Sequence, residues 1–111
     1  MRLIFTLLTI YSLLFINSIN ATVATEADIN AGEQIFSANC SACHNGGNNV
    51  IMPEKTLQKD VLEKNEMNTV DAIMNQVKNG KNAMPAFGGR LTDDDINNVA
   101  NYVIDKSRNG W

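Results

Sequence analysis

The run Cys40-Ser41-Ala42-Cys43-His44 holds both cysteines and the only histidine of a 111-residue chain, and it constrains the fold more than any other feature. Two thiols three positions apart on one helical turn can form thioethers to the two vinyl groups of one porphyrin. The adjacent imidazole then reaches the iron from one face. The pattern reads as a covalent haem attachment site. Other uses of these residues fit less well. A structural zinc site takes four Cys or His ligands, and this chain offers three, crowded into one turn. A thioredoxin-type redox pair needs a neighbouring βαβ pattern, and none follows. A disulfide across so short a loop would stabilise little, since the gain grows with loop length, and it would leave His44 unexplained.

The N-terminus carries a short basic start, Met1-Arg2, then an apolar run from Leu3 to Ile16, then small and polar residues through Ala24. This is a signal-peptide layout, and the run is shorter than the ~18 to 20 residues that span a bilayer. Residues 1–24 are expected to be removed, leaving one small domain at 25–111. Export agrees with the attachment motif, because c-type haem is attached on the far side of an energy-transducing membrane. A bacterial periplasm and a thylakoid lumen are the two candidate compartments. Without Arg2 the chain has eight basic and twelve acidic side chains, a mild acidity that argues against nucleic acid as a partner. A domain this small buries little apolar surface of its own, and a large apolar cofactor would compensate.

The segment from Asp28 to Cys43 has apolar or small residues on one face at Ile29, Gly32, Ile35 and Phe36, which predicts one amphipathic helix delivering the cysteines. The cluster Asn45-Gly46-Gly47-Asn48-Asn49 ends it in a turn. A second, short helix is expected over Lys55 to Glu63. Thr69 to Asn79 predicts a third, with a threonine N-cap and Gly80 just past its end. Thr92 followed by Asp93, Asp94 and Asp95 opens a fourth, with carboxylates at the positive end of the helix dipole. Its apolar residues Ile96, Val99, Ala100, Val103 and Ile104 share one face. Four helices without a strand pattern give an all-α domain. The terminal helices should cross where Gly32 allows close approach of Tyr102 or Val103.

The opposite face of the iron decides the chemistry. An open face permits small-ligand chemistry, whereas a thioether closes it and favours electron transfer. Met67 and Met74 read as packing residues. Met52-Pro53 and Met84-Pro85 are the loop candidates, each sulfur presented beside a stiffening proline. Met84 is favoured over Met52, which is only eight residues beyond His44 and would need an almost extended path.

The stretch from Gly32 to His44, the segment Gly46 to Pro53, the loop Asn79-Gly80-Lys81-Asn82-Ala83-Met84-Pro85-Ala86-Phe87-Gly88-Gly89-Arg90-Leu91 and the close at Ala100-Asn101-Tyr102-Val103 with a final Trp111 resemble the cytochrome c6 family. The resemblance covers nearly the whole of 25–111. It implies a class I cytochrome c fold, one haem c attached through thioethers from Cys40 and Cys43, and axial ligation of its iron by His44 and Met84. By the same resemblance Gln76 lies near the haem and tunes its potential, and Arg90 belongs to a docking surface. The implied role is a soluble, monomeric one-electron carrier in the thylakoid lumen of a plastid, taking electrons from the cytochrome b6f complex and passing them to photosystem I. No bond of a substrate is made or broken, so the chain would be a carrier and not an enzyme. The alternative is a periplasmic cytochrome serving a respiratory oxidase. A haem enzyme or gas sensor with an open iron is the rival of a different class.

Overall fold

In the computed structural model, which describes residues 26–111, the regular elements are α1 (Ile29–Asn39), α2 (Ser41–His44), a 3-10 turn (Asn45–Gly47), α3 (Lys59–Lys64), α4 (Val70–Asn79) and α5 (Asp93–Asn109). The expected leader at residues 1–24 lies outside the described residues. Among the described residues there is no strand, only a bridge pairing Lys81 with Met84. The domain is all-α, as the periodicity predicts.

The helix starts follow the local chemistry. The Asp28 carboxylate accepts from the Ala31 amide at 3.1 Å, and the Thr69 hydroxyl accepts from the Ala72 amide at 3.1 Å. At α5 the Thr92 hydroxyl accepts from the Asp95 amide while the Asp95 carboxylate accepts from the Thr92 amide, both at 3.1 Å. This reciprocal box satisfies two backbone donors that a helix start leaves without partners.

Two boundaries differ from expectation. The single helix expected over Asp28 to Cys43 is broken at Cys40, whose φ of −115° bends the chain between α1 and α2. Side chains compete for the helix carbonyls there: Asn39 Nδ2 donates to the Ile35 carbonyl at 3.0 Å, and Ser41 Oγ donates to the Ser37 carbonyl at 2.7 Å. Such back-bonding bends helices. The short helix begins at Lys59 and not at Lys55, because Gln58 is extended and caps it.

Helix α5 is the axis of the core. Its Ile96, Val99, Ala100, Val103 and Ile104 are all buried, and they meet Phe36 of α1, Leu62 of α3, Ile73 and Val77 of α4, and Phe87 of the following loop. Burying each large member of this set contributes about 1.5–3 kcal/mol. The α1–α5 crossing depends on Gly32. A Cβ there would overlap the Asn98 carbonyl and approach Tyr102 Cβ to 2.9 Å. Of the two residues expected at this contact, Tyr102 is the one that makes it, together with the main chain of Asn98. The Asp28 amide also donates to Asn98 Oδ1 at 2.9 Å, fastening the same crossing.

The last residue closes the opposite side. The Trp111 ring packs on Phe36 and Tyr102, with centroid separations of 5.3 and 6.1 Å, and its Nε1 donates to the Leu57 carbonyl at 3.1 Å.

Candidate functional site

An apolar cleft of about 270 Å³ lies beside the core. Phe36, Leu57, Leu62, Ile73, Val77 and Val103 contribute to its walls, and Cys40, Cys43, His44, Gln76 and Met84 all line it as well. The helix α2 and the loop after α4 therefore bring four of the residues singled out by sequence into one cavity, with Gln76 as the fifth. Arg90 is the exception. It is exposed and outside the lining, with its guanidinium carbon 4.5 Å from the centroid of Phe87. Phe87 itself lines the cleft, so Arg90 stands one side chain away.

His44 has a fixed orientation. Its Nδ1 lies 2.8 Å from the Asn48 carbonyl oxygen. A carbonyl only accepts, so Nδ1 carries a proton, and in the neutral ring this leaves on Nε2 the free lone pair that a metal-ligating imidazole needs. The Gly-Asn cluster supplies this partner through a turn in which Gly46 and Gly47 adopt φ of 64° and 79°. Those values are left-handed and favour glycine.

Met84 is presented by a tight turn. Lys81 and Met84 exchange backbone hydrogen bonds of 3.0 and 2.9 Å, and Asn82 takes the positive φ of 52° that the turn requires. Gly80 lets the returning chain lie close, since a Cβ there would come within 2.7 Å of the Met84 carbonyl oxygen and the Ala86 amide nitrogen. Gln76 Nε2 donates to Met84 Sδ at 3.5 Å. Met52 and Met67 also line the cleft, whereas Met74 packs on the core without lining it.

Both cysteines are free thiols, Cys40 half-buried and Cys43 exposed. Burial first, and then the charge of Cys43, push the Cys40 thiol up to about 11. Among the described residues no group of three or more His, Cys, Asp or Glu side chains is arranged to hold a metal ion. The cleft suits a porphyrin: its walls are apolar, two thiols and one imidazole sit at its edge, and a thioether faces the same space. Among the described residues no polar or charged side chain is buried, so nothing in the interior would oppose an apolar macrocycle.

Sequence reasoning missed Asn49. Its Oδ1 accepts from the amides of Ile51 and Met52 at 3.1 and 2.8 Å, and its Nδ2 donates to the Lys55 carbonyl at 3.0 Å. One side chain thus folds the loop that forms one wall. An asparagine pair following two glycines is the available signal, since asparagine side chains mimic backbone turns. Ile51, which also lines the cleft, is 59% exposed and marks its mouth. Phe87 is 5% exposed and belongs to the core as well as to the cleft wall.

A family model described as cytochrome c oxidase, cbb3-type, subunit III matches residues 27–103 and places the chain in that wider group. Within it, cytochrome c6 of Gracilaria tenuistipitata var. liui is 65% identical over 111 residues, covering 100% of both chains. The chain belongs to the cytochrome c6 family. Cytochrome c6 of Bumilleriopsis filiformis is 72% identical over 85 residues, 77% of this chain and 99% of its own. The structure of cytochrome c6 from the diatom Phaeodactylum tricornutum superposes with a TM-score of 0.75 at 59% identity, covering 77% of this chain and 100% of the diatom chain. The match to the oxidase description stops at Val103, whereas the match to cytochrome c6 runs through Trp111. Membership of the cytochrome c6 family makes the chain a haem c electron carrier of photosynthetic electron transport, with the haem iron as its redox centre. The algal sources of its relatives fit a plastid protein.

Proposed function

We propose that this chain carries single electrons from the cytochrome b6f complex to photosystem I in the thylakoid lumen. Cys40 and Cys43 would hold the haem, and His44 Nε2 and Met84 Sδ would ligate its iron. The observation that carries the reading is the pairing, in one apolar cleft, of a His44 whose Nδ1 faces the Asn48 carbonyl and a Met84 whose sulfur faces Gln76. Bound there, haem supplies reversible cycling of iron between ferrous and ferric states.

The residues around it set the direction of that chemistry. A thioether ligand favours the ferrous state, and an apolar cleft disfavours the extra positive charge of the ferric state. The Gln76 N–H dipole, positive end toward Met84, acts in the same sense. All three raise the potential. Exposed apolar residues line the mouth of the cleft, Ile51 at 59% with Ala83 and Pro85, and Val50 beside Ile51 in the chain is 63% exposed. Arg90, held over Phe87, offers the neighbouring positive charge for docking. A contact of this kind belongs at the small end of interface sizes, below ~1,200 Å², where partners release quickly. No helix among the described residues is long and apolar enough to cross a membrane, which suits a carrier that moves between membrane complexes.

The test is flash-induced re-reduction of photosystem I by the reduced holoprotein, with Arg90→Glu beside it. Fast donation by the first and slow donation by the second are expected. A second reading, delivery of electrons to a respiratory oxidase, draws on the oxidase description of the matching family model. A six-coordinate holoprotein that reduces an oxidase and not photosystem I would favour it.

A further inference from the structure

Trp111 lies far from His44 in sequence, yet it touches every element that frames one side of the cleft. Its ring packs on Phe36 of α1 at a tilt of 38° and meets Tyr102 of α5 edge-on at 87°. The same ring occupies the space over Gly47, where a Cβ would come within 2.6 Å of three ring atoms. Its Nε1 donates to the Leu57 carbonyl at 3.1 Å, and the Leu57 amide in turn donates to the Gly47 carbonyl at 2.7 Å. Gly47 immediately precedes Asn48, whose carbonyl faces His44 Nδ1 at 2.8 Å. Leu57 and Phe36 are themselves cleft-lining residues.

We infer that Trp111 is a positioning residue: the C-terminal indole latches the loop 47–57 against α1 and α5, and so holds the Asn48 carbonyl on His44 and keeps water out of that side of the cleft. The geometry explains why an aromatic donor is needed. A flat ring fits only because Gly47 lacks a side chain, and only an indole N–H or similar donor reaches the Leu57 carbonyl from the ring edge. With the latch open, Leu57 and Gly47 keep one mutual hydrogen bond but lose their tie to the helices. Water then reaches the cleft and favours the ferric state, whereas an Asn48 carbonyl that leaves Nδ1 makes the ring a weaker donor and favours the ferrous state.

The inference rests on His44 as an iron ligand, and the experiment separates the two ideas. Reduction potential, absorption spectrum and amide exchange are measured on the wild-type holoprotein and on Trp111→Phe and Trp111→Ala. Trp111→Phe keeps the stacking and loses one hydrogen bond, worth about fivefold in local opening. Faster exchange of the Leu57 amide by about that factor is expected, with Ile73 of α4 unchanged. Trp111→Ala should speed Leu57 exchange by about thirtyfold or more and shift the potential, with Trp111→Phe between it and wild type. Equal potentials in all three proteins, unchanged Leu57 exchange, or equal acceleration at Leu57 and Ile73 would each overturn the latch, the last by showing general destabilisation. A wild-type holoprotein whose spectrum lacks histidine ligation would overturn the site reading instead, while the exchange comparison would still decide whether Trp111 holds the loop.

Discussion

Replacing Gly32 by alanine sets two effects of opposite sign against each other at one atom. Helix propensity favours the change, since alanine is about 1 kcal/mol better than glycine in a helix interior. The crossing opposes it, because the new methyl would overlap the Asn98 carbonyl and lie 2.9 Å from Tyr102 Cβ. Overpacking against side chains costs typically about 1–3 kcal/mol. Here the obstacle is mainly main chain of α5, which cannot rotate away, so the upper end of about 3 kcal/mol applies. The expected net loss is about 2 kcal/mol, or about 8–16 °C in Tm for a domain of this size. Denaturant unfolding of the ferric holoprotein, followed by far-UV circular dichroism, measures it. Gly89→Ala is the internal control, because a Cβ there meets nothing within 4 Å and its φ is not positive. That variant should be neutral or gain up to about 1 kcal/mol. A Gly32→Ala protein as stable as wild type would refute the claim that α1 and α5 touch through their backbones.

Met84→Ala should lower the reduction potential and let exogenous imidazole bind the iron; a spectrum unchanged from wild type would assign the sixth ligand elsewhere. Gln76→Leu removes the donor at 3.5 Å from the Met84 sulfur and should lower the potential with little change in stability, as read by spectroelectrochemistry; a rise would reverse the assigned role of the dipole. In the haem-free chain at pH 8, alkylation should modify the exposed Cys43 before Cys40, whose thiol burial and the Cys43 charge push up to about 11. The Cys40 rate should climb with pH until about 11, since its raised value keeps the neutral thiol below that point; mass spectrometry showing equal rates at pH 8 would refute it. Asn49→Ala deletes three hydrogen bonds of the wall loop and should destabilise the protein by about 2 kcal/mol, taking about 0.5–1.5 for each bond with partial solvent replacement, measurable as a shift in denaturation midpoint.

The parts of the fold that could be read in advance are those written locally. The Thr69 and Thr92 caps, Gly80 past the end of α4 and the spacing of Ile96, Val99 and Val103 each involve residues within a turn or two. The attachment motif is legible for the same reason. The break at Cys40 was not, because it arises where Asn39 and Ser41 turn their side chains onto carbonyls four residues back, a choice that periodicity cannot register. The start of α3 at Lys59 depends likewise on an extended Gln58. Asn49 and Trp111 escape for another reason: the first acts through carbonyls and amides of its own loop, and the second through a contact 54 positions away. The placement of Gln76 and Arg90 came from family resemblance. Of these, only Gln76 lies in the cleft.

A protein that stores and releases charge usually contains groups that turn when the charge changes. Here none of the described residues buries a polar or charged side chain, and the interior is Phe, Leu, Ile, Val and Ala. Such packing holds few dipoles able to follow an electron, so little nuclear rearrangement accompanies its arrival or departure. The response is left to the Gln76 amide held on the Met84 sulfur, to backbone amides already fixed in helices, and to water at the open mouth. When a partner covers that mouth and excludes the water, the solvent share of the rearrangement falls, and the encounter itself prepares the transfer.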